Sequence, residues 1–83
     1  MEKQTAAFKS KPLVTRAECA ELLTDEGYPT TKGTLQKLAS VGGGPEYQIF
    51  GNKALYRPAK AIEWAESRLS SPRLARVSEV LQQ

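Results

Sequence analysis

Histidine is absent from the 83 residues, and cysteine occurs once. Without an imidazole the commonest general base is missing, and a single thiol cannot assemble a multi-ligand soft-metal site. No disulfide can close within the chain, and the composition fits a reducing compartment. Aromatics are scarce, with two Phe, three Tyr and one Trp, so the core must be small and built around nine leucines. Long apolar runs are lacking too. No stretch approaches the roughly 20 residues of a membrane span, and there is no signal-peptide core. Chains of this length bury only roughly 60–65% of their unfolded surface, which leaves no room for a deep catalytic cleft. These absences predict a small, soluble, intracellular binding module. It should have no enzymatic activity, no cofactor or metal, no small-molecule substrate and no membrane attachment.

What the chain does carry is unevenly distributed charge. The net charge of +3 splits into +2 over residues 1–12, −3 over 15–30, +3 over 31–57 and +1 over 58–83. A basic central block beside an acidic one suggests one face made for a polyanion.

Residues 1–12 lack apolar periodicity and read as a mobile basic arm. Thr15-Arg16-Ala17-Glu18 matches a capping box, with Val14 and Cys19 placed for a hydrophobic staple. Cys19, Ala20, Leu22 and Leu23 supply the apolar face of a helix over roughly 16–24. Gly27 and Pro29 then force a turn. Thr31 is a natural N-cap for a second helix over roughly 32–40, with Leu35 and Leu38 facing inward. Gly33, Gln36, Lys37 and Ser40 fall on the opposite face, which is polar and basic without acids. Gly42-Gly43-Gly44-Pro45 ends that helix. Tyr47–Phe50, Gly51-Asn52-Lys53 and Ala54–Arg57 read as strand, tight turn and strand. Pro58 suits the first position of a third helix containing Ala61, Ile62, Trp64, Ala65 and Leu69, ended by Ser70-Ser71-Pro72. Tyr47, Tyr56 and Trp64 all fall on inward positions.

The pattern predicts an α+β, mostly helical fold: a winged helix-turn-helix of three short helices and one β-hairpin wing, occupying residues 13–70. Leu13-Val14-Thr15-Arg16-Ala17-Glu18 and Thr34-Leu35 look like that family's first two helices. Gly43-Gly44-Pro45, Tyr47, Gly51 and Tyr56-Arg57 look like its wing, and Ile62-Glu63-Trp64 like its closing helix. Over about residues 13–69 the chain resembles the small MerR-like winged-helix excisionases, or recombination directionality factors, of phages and integrative elements. Three departures stand out. The turn over 24–30 is longer than usual, Gly33 replaces a bulky or basic residue, and Ala61 and Ala65 stand where leucine is common.

That resemblance implies a non-catalytic protein of the bacterial cytoplasm, nucleoid-associated when bound. It would bind sites on double-stranded DNA beside neighbouring copies of itself, bend the DNA and bias a tyrosine-type integrase towards excision. A small transcription regulator of mobile-element genes is the alternative within DNA binding, and a protein-interaction adaptor is the alternative outside it. Within the winged fold, Thr31, Lys32, Gln36, Lys37 and Ser40 are the candidates for major-groove contact, since glutamine pairs with adenine and lysine reaches guanine or phosphate. Asn52 and Lys53 at the hairpin tip and Arg57 near its base are candidates for the minor groove. Arg16, at the first turn of helix 1, is placed for a phosphate.

Three other features carry no chemistry of their own. The triple glycine lacks the sequence and setting of a phosphate loop, Asp25-Glu26 has no catalytic partner nearby in sequence, and Cys19 reads as core. After the Ser-Ser-Pro hinge, Leu74, Val77 and Leu81 recur at helical spacing within residues 71–83. That segment is too short to hold a helix alone and is expected to order against a partner, either a neighbouring copy or the integrase.

Overall fold

The computed structural model describes residues 11–74. The elements run β1 (Val14–Thr15), α1 (Arg16–Asp25), α2 (Lys32–Val41), β2 (Gln48–Phe50), β3 (Lys53–Tyr56) and α3 (Pro58–Ser67). Three helices and a hairpin in this order form the winged helix-turn-helix arrangement. None of the helices is long and apolar enough to cross a membrane. The arm over residues 1–12 lies outside the described residues apart from Lys11 and Pro12, as does the tail from residue 75 onward, including Val77 and Leu81.

Helix α1 starts where its capping box dictates. The Glu18 amide donates to Thr15 Oγ1 at 3.2 Å, and the Thr15 amide donates back to Glu18 Oε1 at 2.9 Å. The Thr15 amide holds the Glu18 carboxyl below its ordinary value, and Lys11 Nζ, 3.2 Å from Oε2, lowers it further against the opposing effect of burial. Both staple residues, Val14 and Cys19, are fully buried. At the other end the Gly27 amide donates to Thr24 O at 3.1 Å and the Tyr28 amide to Leu23 O at 2.8 Å, with Gly27 at φ 102°. This is a Schellman closure, which needs the left-handed conformation that glycine adopts without strain.

The long turn between α1 and α2 is tied across its base. Thr24 Oγ1 donates to Thr30 O at 3.0 Å and accepts from the Thr30 amide at 3.2 Å. Its extra residues therefore do not loosen the relation between the helices. The Thr31 hydroxyl then accepts from the Thr34 amide at 3.1 Å and opens α2.

A two-residue strand, not foreseen in the sequence, completes the sheet. It has the order β1-β3-β2 and is antiparallel throughout, with Val14 opposite Tyr56, Thr15 opposite Leu55, and Phe50 opposite Lys53. Val14 and Tyr56 bury completely on the sheet's inner face, where they meet Cys19, Ala20 and Leu23 of α1, Leu35 of α2, and Ala61 and Ala65 of α3. The two alanines let α3 lie close. Helix α1 is thus the central element, touching both other helices and the sheet.

Three expectations about apolar residues need correction. Tyr47 is 39% exposed rather than core, and Trp64 is only partly buried, its Nε1 donating to Gly43 O at 2.8 Å. Leu69 lies beyond α3 and is 66% exposed. The helix ends at Ser67 because its last turn tightens: Arg68 N bonds Ala65 O, Leu69 N bonds Glu66 O, and Ser67 Oγ donates to Trp64 O. Within the triple glycine, Gly42 and Gly43 take φ of 97° and 96°, and only Gly44 makes a close chain passage, since a Cβ there would sit 2.9 Å from Leu38 Cβ.

Candidate nucleic-acid interface

The outward face of α2 is as the helical spacing demands. Leu35 is buried, whereas Thr31, Lys32, Gln36, Lys37 and Ser40 are exposed. Helix α2 itself carries no acid, and Glu46 is the one acidic residue between Gly27 and Arg57. The Thr31 hydroxyl is already engaged, capping Thr34 and donating to its Oγ1 at 3.1 Å.

Three elements converge beside the start of this helix. A cleft of about 380 Å³ is lined by Thr15, Arg16 and Ala17 of the β1–α1 junction, Lys32 of α2, and Asn52, Lys53 and Ala54 of the hairpin. Four residues singled out separately along the sequence, Arg16, Lys32, Asn52 and Lys53, therefore share one concavity. None of the three cations is in an ion pair among the described residues. The first turns of α1 and α2 both open onto the cleft, and helix N-termini favour anions.

Arg16 is held firmly. Its Nε donates to Tyr56 Oη at 2.9 Å, and its guanidinium carbon lies 5.5 Å from the Tyr47 ring centroid and 5.8 Å from that of Tyr56. The two rings are 5.7 Å apart and inclined at 36°. A guanidinium presents five N–H donors, so the bond to Tyr56 leaves the terminal nitrogens to meet an anion's oxygens. The Tyr47–Tyr56 clamp escaped the sequence reading, because only the pairing of β1 with β3 brings Arg16 onto Tyr56.

Gln36, Lys37 and Ser40 continue along α2 without lining the cleft, extending the polar surface away from it. Arg57 is exposed at the β3–α3 junction, also outside the cleft, and makes no side-chain cap to α3. Leu74 is 98% exposed and touches no element of the core cluster. Among the described residues no group of His, Cys, Asp and Glu is arranged to hold a metal ion. The Cys19 thiol, pushed up to about 11 by burial, is held in its protonated, unreactive form. Comparison with family models and with curated proteins gives no match to this chain.

Proposed function

We propose that this protein is a duplex-DNA-binding module that presents α2 to the major groove and its hairpin to the adjacent minor groove. The observation that carries the reading is the convergence of Arg16, Lys32 and Lys53, without acid partners among the described residues, on one cleft between helix N-termini and wing tip. Cations so placed neutralise neighbouring phosphates and fix the register of the protein on the duplex. Gln36 and Lys37, farther along the exposed face of α2, are then the side chains that read base edges.

The finer reading is an excisionase of a phage or integrative element, working in the bacterial cytoplasm and turning a tyrosine-type integrase towards excision. It rests on the resemblance of the helix, wing and closing-helix motifs and on scale. A single small module buries roughly 600–1,000 Å² on DNA. Firm occupancy then calls for neighbouring copies or a partner protein acting through effective concentration.

Fluorescence anisotropy with the element's own attachment region and a scrambled duplex tests the first level. Binding that weakens steeply with salt and favours the attachment region is expected, and no binding at low salt would refute it. An in vitro excision assay with the integrase tests the second level, and excision that is indifferent to this protein would refute that reading.

A further inference from the structure

Phe50 is an apolar side chain for which the fold offers no internal partner. It ends β2 at the tip of the hairpin, is 77% exposed, and stands directly opposite Lys53 across the turn Gly51–Asn52. Directly opposed residues of an antiparallel pair project from the same face. The ring therefore shares one face of the hairpin tip with a lysine that borders the basic cleft. Further along that face lie Gln48, which is exposed, and Leu55, which is half-buried. Ile49, on the opposite face of β2, is 61% exposed as well, so on the face that carries Phe50 the exposed apolar surface is the ring itself and not a broad patch of several hundred Å² such as protein docking sites present. Its surroundings are cationic, with no acid from Tyr47 to Arg57.

We propose that Phe50 is a wedge which the wing inserts between stacked base pairs, so that the protein kinks the duplex it binds. The inference rests on the reading of the module as a duplex-DNA binder and adds a residue and a physical action to it. An aromatic ring entering a base step replaces part of the lost stacking, while Lys53 beside it meets the phosphates that the kink draws together. Side chains of this kind kink DNA by roughly 20–90°. The tip suits insertion because it is narrow, with two residues in its turn, and because the ring projects there without support from the core.

The test uses the full chain and a duplex of about 30 base pairs containing TA and CA steps, which unstack most easily. Dyes at the two ends report the bend by energy transfer at saturating protein, and anisotropy reports binding separately. The wild type should shorten the end-to-end distance. Phe50→Ala should still bind but lose most of the bend, Phe50→Leu should keep it, and Lys53→Ala should bind more weakly yet bend the duplex once saturated. An unchanged bend in Phe50→Ala, or wild-type binding without a bend, overturns the wedge. So does self-association of the DNA-free protein that Phe50→Ala abolishes, since the ring would then seat a second copy. Absence of wild-type binding in the anisotropy arm would instead strike the DNA-binding reading itself.

Discussion

Replacing Lys53 with alanine removes one cation from a cleft that holds three, and counterion release gives the size of the effect. Each phosphate neutralised on B-form DNA contributes about 0.9 to the slope of log affinity against log salt. If Arg16, Lys32 and Lys53 each meet one phosphate, the cleft accounts for a slope of about −2.7, and raising salt from 50 to 200 mM costs about 40-fold in affinity. With two contacts left, the slope falls to about −1.8 and the same change in salt costs about 12-fold. Other phosphate contacts add equally to both proteins, so the difference in slope remains about 0.9. The assay is anisotropy of a labelled duplex over a potassium chloride series, on cognate and scrambled sequences. Lys53 is exposed at the wing tip, so folding is expected to be unaffected, which circular dichroism of each sample would check. A parallel loss on both sequences with the smaller slope fits a phosphate contact. An unchanged slope would refute the reasoning, and a loss confined to the cognate sequence would make Lys53 a reader of bases.

Gln36→Ala should leave circular dichroism unchanged and cost about 1–3 kcal/mol of cognate affinity, with little effect on scrambled DNA, as titrations of both duplexes would show. Thr15→Ala should destabilise the fold by about 1 kcal/mol in urea unfolding, through loss of the α1 cap. The Glu18 carboxyl lies below its ordinary value of 4.5, so its contribution is present above that value and disappears as pH falls through the folded-state value. The stability gap between wild type and Glu18→Ala should accordingly be full at pH 7 and shrink under acid, measured by urea unfolding at several pH values. Gly44→Ala should cost about 1–3 kcal/mol, because the new methyl meets Leu38 Cβ at 2.9 Å, and a thermal melt unchanged from wild type would show that the chain relaxes there.

Local chemistry was the legible part of this fold. Thr15 and Thr31 announced two helix starts through bonds to amides three residues on, Pro58 the third through its fixed φ and missing N–H, and Gly51-Asn52 the hairpin. The inward positions of Cys19, Leu22, Leu23 and Leu35 followed from helical spacing alone. Contacts between distant residues were not legible. Strand β1 is two residues long, too short to show alternation, and its partner lies some forty positions away. With that pairing unseen, the hold of Tyr56 on Arg16 could not be read, nor could the shared cleft. Tyr47 and Leu69 look like core residues by hydrophobicity, yet one packs a ring against an arginine and the other follows a helix that closes early. Phe50 looked like an ordinary strand residue because sequence alone cannot show that a three-residue strand is left exposed along its whole length.

The burial of Cys19 turns the protein's own thiol into a clock for opening. It sits in the core on α1, the helix that every other layer leans on, and its proton is held tightly. A thiol reagent can reach the sulfur only when that helix detaches, so the rate of modification under native conditions counts excursions of the whole domain and not fraying at its edges. The same label reports any ligand. A molecule that engages only the closed form lowers the open population by its own binding free energy, and the reaction slows in proportion. One residue with no chemistry of its own in the native state thereby couples occupancy of the surface cleft to a covalent signal in the core.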